Sequence, residues 1–371
     1  MLTAFTNARI FTGEEELNDL SLLIKNDKIL DFVPPGSIPP GAQIINCKDQ
    51  IIAPGLIDLQ IYGGGGYLFS NKPSAEALHA LTEAIINSGT TGFMITLATN
   101  SKEIFSQAIQ VVKENPHPAL LGIHFEGPWL NPIKKGAHIE KFIKKPTLRD
   151  VQELIDEAGD VLKMVTLAPE ITGHEIIRLL RKHNIIVSAG HSNATFDEAV
   201  QGYEAGVQTA THLFNAMSPM HHRDTGLPGA TFLSDHAMAS IIADGIHVDF
   251  ETLKISKRIM QDRLFLITDA VEEVLSGAYV HVKQKDRYTL PDGTLSGSQL
   301  TMLQAVNNCI QHAEIPQAEA FRMATAYPAR LLNDSDRVML SPGRRADFIV
   351  LDNKLTLLDV YLQGNKQKKV S

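Results

Sequence analysis

The chain has 371 residues, 44% of them hydrophobic, which is enough apolar mass for one large domain or two moderate ones. A formal net charge of −8 offers no attraction to nucleic acid or to an anionic membrane, so neither is an expected partner. The two cysteines, Cys47 and Cys309, stand far apart without a CxxC pattern, which excludes a disulfide framework and a cysteine-based zinc site.

The opening stretch "MLTAFTNARIFTG" has no basic segment followed by an apolar one, and no run reaches the length of a bilayer span. The cytoplasm is therefore the expected location. Up to residue 50 the chain reads as short β pieces, "LTAFTNARIFTG", "LSLLIKNDKILDFV" and "AQIINC", punctuated by Gly, Pro and Asp turns. "PPGSIPPG" at 34–41 is a loop within this small β unit.

From Ile51 short apolar strands alternate with longer segments of helical period, the pattern of a parallel sheet. Strands are expected at 57–61, 91–97, 120–125, 163–167, 185–189, 207–211, 239–243 and 264–268. Helices are expected from "SAEALHALTEAIINSG", "SKEIFSQAIQVVKEN", "LRDVQELIDEAG", "GHEIIRLLRKHN" and "FDEAVQGYEAG". The number and order of these elements predict an α/β fold, a (β/α)₈ TIM barrel. Near the end, "LSPGRRADFIVLD" and "LTLLDVYLQGNKQ" return to β pattern, so the C-terminus is expected to join the N-terminal unit. The expected division is 1–53 and 336–371 for one discontinuous small domain and 54–335 for the barrel.

Barrel chemistry sits at the C-terminal ends of the strands, where the loops converge on one mouth. "GIHFEGPW" places Glu126 there, "IVSAGHS" places His191, "QTATHLFNAM" places His212 and "FLITDA" places Asp269. Any one of these alone is more often a packed histidine or a turn-forming aspartate than a functional group. Together, three N/O donors with an open position describe a catalytic divalent metal site, with Asp269 as the proton-transfer group. His124, two residues before Glu126, reads as a packing or hydrogen-bonding residue. His79, His117, His174, His183, His236, His281 and His312 read as surface residues, and His221 and His222 belong to a long loop after the sixth strand.

The segments "HFEGPWLNPIKKGAH", "AGHSNAT", "THLFNAMSPMHHR", "ADGIHVD", "ITDA", "GTLSGSQLTM" and "ATAYPARLL" resemble the N-acetylglucosamine-6-phosphate deacetylases of the amidohydrolase superfamily. The resemblance runs from "APGLID" to "GRRADFIVLD", nearly the whole chain. It implies a small β-sandwich built from both chain ends beside the barrel. It also implies Glu126, His191 and His212 as ligands of one divalent ion, zinc first, with iron or cobalt also suited, and Asp269 as catalytic acid and base. His138 with Ala137 in "KKGAH" would touch the sugar, and Asn215 and Ala216 in "FNAM" would hold the phosphate with Arg223. His247 would contact substrate, and it and Arg223 can reach across a homodimer interface in this family. Leu295, Ser296 and Gly297 would close over the sugar.

Many superfamily members bind a second ion through His-x-His on the first strand, where this chain has Gln60 and Tyr62. A neutral amide and a phenol are poor zinc ligands, so a one-metal site is expected, with Gln60 facing the substrate. The glycines at 63–66 read as a tight rim loop, since no GK[ST] follows them. The expected reaction is hydrolysis of N-acetylglucosamine 6-phosphate to glucosamine 6-phosphate and acetate. The alternatives are a deacetylase of another 2-acetamido sugar phosphate such as the galactosamine epimer, a cyclic-amide or base-deaminating amidohydrolase, and a non-catalytic assembly protein.

Overall fold

In the computed structural model, which describes residues 1–368, strands and helices alternate around a parallel eight-stranded sheet. The last three residues of the expected 336–371 segment lie outside the described residues. The barrel strands are β1 (Leu56–Ile61), β2 (Thr90–Ala98), β3 (Leu120–Glu126), β4 (Leu162–Leu167), β5 (Ile186–Ala189), β6 (Thr209–Ala210), β7 (Met238–Ile242) and β8 (Leu264–Ile267). Each pairs in parallel with the next. All eight expected strands form; the largest displacement is at β6, expected over 207–211 and formed over Thr209–Ala210.

Burial on both faces explains why these strands read as apolar runs rather than alternations: every residue of β1 and of β2 is buried. The helices supply the outer layer by burying one stripe each. In Lys102–Glu114 that stripe is Phe105, Ala108, Ile109 and Val112, the i, i+3, i+4, i+7 spacing of one helical face. Their starts are set by side chains that accept otherwise unpaired backbone N–H groups. Ser74 and Ser101 cap two helices, and Thr147 with Asp150 and Thr195 with Glu198 form capping boxes on two more.

The barrel closes between β8 and β1 through polar stitches rather than a ladder. The Asp269 N–H donates to the Gln60 carbonyl at 2.9 Å, and Ile61 and Ala270 form an isolated parallel bridge. The buried Asp58 carboxylate accepts from the Gln60 N–H at 3.1 Å and from both the N–H and hydroxyl of Thr268. Burial pushes the Asp58 carboxyl up to about 7 despite these donors. The seam thus fixes Gln60 against the backbone that carries Asp269.

Both chain ends build the second unit. One sheet is ordered Lys28–Val33, Ser21–Lys25, Leu2–Thr6, Gln43–Asn46; the other is Asn365–Lys366, Leu357–Leu362, Phe348–Asp352, Gln50–Pro54, Arg9–Phe11, Glu16–Leu17. Phe5, Leu22 and Ile24 from the first face Ile10, Ile52, Phe348 and Tyr361 from the second in one apolar cluster, so the two sheets form a sandwich. Cys47 and Cys309 are both buried and free. Among the described residues no helix is long and apolar enough to cross a membrane.

Candidate active site

The strand ends deliver the four expected groups to one rim. Glu126 is the last residue of β3, and His191, His212 and Asp269 each follow the end of β5, β6 and β8 by two residues. These three have left-handed backbone, with φ of 46°, 37° and 53°. For residues with a Cβ this conformation costs of order 1–3 kcal/mol and persists where the surroundings enforce it, which is typical of functional turns. Gly136, also left-handed at φ +54°, lies where a Cβ would come within 3.2 Å of the His191 ring. A side chain there would push that ring aside.

One ligand atom from each of Glu126, His191 and His212 lies within 4.8 Å of the others, and all three residues are buried. The His191 Nδ1–H donates to the Lys134 carbonyl at 2.8 Å, so its Nε2 carries the lone pair. That Nε2 stands 3.3 Å from Glu126 Oε1 and 3.2 Å from His212 Nε2, and His212 Nε2 is 3.0 Å from the same Oε1. Two imidazole nitrogens and a carboxylate oxygen converge with few protons to share, in a pocket that also buries Asp269. The donor set and the shortage of positive charge fit one divalent cation.

The other oxygen of Glu126 is occupied by protein. The Thr99 N–H donates to His138 Nδ1 at 3.2 Å, which places the ring proton on Nε2, and that proton is donated to Glu126 Oε2 at 2.9 Å. The Tyr62 hydroxyl donates to the same Oε2. The Gln60 amide nitrogen reaches the Tyr62 hydroxyl at 2.8 Å, Glu126 Oε1 at 3.1 Å and Asp269 Oδ1 at 2.8 Å. Gln60 and Tyr62 therefore fill the place of a His-x-His pair with hydrogen bonds that tie Glu126 to Asp269.

Environment drives these two carboxyls apart. Burial pushes Glu126 up, but the His191 and His138 rings with their hydrogen bonds outweigh it and hold the group well below the usual carboxylate range. Burial, then the charges of Glu126 and Asp58, hold Asp269 well above it. Two neighbouring buried carboxyls pushed in opposite directions are the pattern expected of a ligand beside a general acid or base. Burial, then the neighbouring His191 ring, pulls His138 down to about 4, and burial also lowers His212.

These groups form the floor of a cavity of about 160 Å³. Its wall includes Ala137, His138, Asn215, Ala216, His247, Leu295, Ser296 and Gly297. The His247 Nδ1–H donates to Asp244 at 2.6 Å, which leaves Nε2 as the ring nitrogen for the cavity. Gln60 does not line the wall; it is buried beneath it with its amide spent on Tyr62, Glu126 and Asp269. Arg223 is exposed on its loop, where its Nε donates to His222, and it is not among the cavity residues of this chain.

The surface reading of His281 is corrected. It is 5% exposed, lines the cavity and pairs its Nδ1 with the Ser296 hydroxyl at 2.9 Å. It belongs to an excursion after β8 that folds back as a hairpin, Val282–Lys283 on Tyr288–Thr289, and brings Tyr279 to the cavity as well. The Tyr279 hydroxyl donates to the Thr99 carbonyl, pinning this excursion to the end of β2. Local sequence gave no signal for either residue, because the fold-back depends on contacts far along the chain. His124 is fully buried, with Nδ1 at 3.0 Å from the Leu59 carbonyl and Nε2 at 2.7 Å from the Thr166 hydroxyl, so it is a hydrogen-bonded core residue.

The profile of the Amidohydrolase family matches residues 51–370. The chain is 32% identical over 379 residues to the N-acetylglucosamine-6-phosphate deacetylase of Haemophilus influenzae, covering 98% of this chain and 99% of that protein. It is 33% identical over 326 residues to the N-acetylgalactosamine-6-phosphate deacetylase of Shewanella sp., covering 84% and 81%. The crystal structure of N-acetylglucosamine-6-phosphate deacetylase from Pasteurella multocida superposes with a TM-score of 0.95 at 34% identity, over 100% of both chains.

Proposed function

This chain belongs to the amidohydrolase family, and we propose that within it the protein hydrolyses N-acetylglucosamine 6-phosphate to glucosamine 6-phosphate and acetate. The observation that carries the reading is the joining of Glu126, His191 and His212 to Asp269 through the Gln60 amide, on the floor of one cavity. A pure assembly protein has no need to bury these four groups together.

In this reading Glu126, His191 and His212 hold one divalent ion, for which zinc, iron and cobalt are all suited. Such an ion supplies Lewis acidity, lowering the pKa of water and polarising the acetamide carbonyl. Asp269, poised by the Gln60 hydrogen bond, takes a proton from the attacking water and returns it to the departing amine at C2. His247, held by Asp244, and His138 face the acetamide and sugar from the cavity wall. Asn215 and Ala216 receive the phosphate, and Leu295, Ser296 and Gly297 cover the sugar. Tyr62 and Gln60 hold Glu126 Oε2 and the neighbouring space by hydrogen bonds, so one ion suffices.

The protein works in this reading as a cytoplasmic homodimer. His247 already lines its own cavity, whereas Arg223 stands exposed outside it, which supports its serving a partner's phosphate site in such a dimer. The guanidinium fork suits phosphate oxygens. The second reading, a galactosamine-epimer preference, is favoured by the Shewanella relative. Initial rates of acetate release from the two epimeric 6-phosphates decide between them. A higher kcat/KM for the gluco epimer is expected, a galacto preference transfers the assignment to the second reading, and no release from either sinks both.

A further inference from the structure

Glu170 lies outside the cavity, in the short helix Pro169–Thr172 that follows β4, and takes no part in the chemistry above. Its half-buried carboxylate nevertheless sits at the joint between two loops. Oε1 accepts from the Asn131 side-chain amide at 2.9 Å and from the Asn193 N–H at 2.7 Å, and Oε2 accepts from the Ser192 hydroxyl at 2.7 Å. Asn131 belongs to the loop after β3, whereas Ser192 and Asn193 directly follow His191.

The same two loops hold the His191 ring. The Asn131 N–H donates to the His191 carbonyl at 2.9 Å, and three residues further on the Lys134 carbonyl accepts the His191 Nδ1–H at 2.8 Å. His191 thus has its backbone and its ring tied to the loop after β3, while the residues beyond it are tied through Glu170 to that same loop. Its left-handed backbone, φ 46°, would relax without such restraint. Three donors on one anionic acceptor are charge-assisted, roughly twice the strength of neutral hydrogen bonds.

We propose that Glu170 is the positioning residue of His191: by latching Asn131 to Ser192 and Asn193 it fixes the direction in which Nε2 is presented. The inference rests on the reading of Glu126, His191 and His212 as a metal site. Groups that orient a metal-bound imidazole from behind typically contribute 10–100-fold to metal affinity. A glutamine at 170 retains an acceptor oxygen for Asn131 and Asn193 and can donate to a turned Ser192 hydroxyl, so it should largely rescue the function. Leucine offers similar bulk and no acceptor.

The test titrates zinc into the metal-free full-length protein against a chromophoric chelator, and records the visible spectrum of the cobalt-loaded protein, for the parent, Glu170→Leu and Glu170→Gln. Glu170→Leu should bind zinc about 10–100-fold more weakly with an altered cobalt spectrum. Its KM for the sugar phosphate at saturating metal should not move. Glu170→Gln should stay within about fivefold of the parent, the worth of one ordinary hydrogen bond. A folded Glu170→Leu with parental zinc affinity and cobalt spectrum overturns the proposal. Should that variant not fold, Asn131→Asp decides, since it sets a second carboxylate against Glu170 with little change in bulk: weaker zinc binding supports the latch, and parental binding overturns it. A parent protein that binds no ion overturns the metal-site reading itself, an outcome distinct from parental binding in the variants.

Discussion

Replacing Asp269 by Asn separates chemistry from architecture. The backbone around residue 269 is held by its N–H donating to the Gln60 carbonyl and its carbonyl accepting from the Ser298 N–H, both at 2.9 Å, and neither depends on the side chain. The Asn oxygen can still accept from Gln60 Nε2, now at 2.8 Å from Oδ1. What is lost is the group able to take and return a proton, which is worth about 10²–10⁴ in rate, or about 3–5 kcal/mol of barrier. Stability should move the other way in the metal-free protein. Burial, with Glu126 and Asp58 nearby, holds the Asp269 carboxyl well above its unfolded value, so at neutral pH its ionised form opposes folding and a neutral amide does not. Acetate release and ion content should therefore show turnover down at least 100-fold with metal retained, and thermal unfolding of the chelated, ion-free protein should show a melting temperature equal or raised. More than a tenth of parental turnover with metal in place would refute the proton-transfer role.

Tyr62→Phe removes the phenol that shares Glu126 Oε2 with His138. Leaving buried partners short of a hydrogen bond should cost about 1–3 kcal/mol in urea unfolding while the ion count per chain stays unchanged, and an unaltered midpoint would contradict the contact. Burial pulls His281 down to about 4 from an ordinary 6.5, so between those values the unfolded chain binds a proton that the folded chain does not. Its contribution to stability is full above pH 6.5 and is lost as pH falls toward 4, amounting to about 2 kcal/mol between pH 7 and pH 5. His281→Asn should flatten that acid loss by this amount, and equal slopes for both proteins would place His281 in a solvated setting.

The barrel was legible because each strand is buried on both faces, so apolar runs such as "GFMITLA" stand out between helices with clear caps. The rim residues were legible for a related reason: a polar group directly after such a run must emerge at the mouth. Gln60 was read as facing substrate because it stands where related barrels carry the first histidine of a His-x-His pair; whether it meets substrate or is covered depends on Tyr62, Glu126 and Asp269 drawing off its amide. His281 and Tyr279 escaped detection because their burial comes from tertiary contacts with Ser296 and Thr99, not from any local period. Glu170 lay unnoticed for the same reason, its three partners coming from loops that the barrel closure brings together.

In the proposed function one ion, held by Glu126, His191 and His212, supports deacetylation of a sugar phosphate in this cavity. It is tested most directly by following acetate release from N-acetylglucosamine 6-phosphate and from the unphosphorylated sugar, before and after chelation, with the ion content of the same preparation counted. About one ion per chain, release confined largely to the phosphate ester, loss on chelation and recovery on adding zinc are the expected results. Release that persists in chelated, ion-free protein would contradict the proposed function.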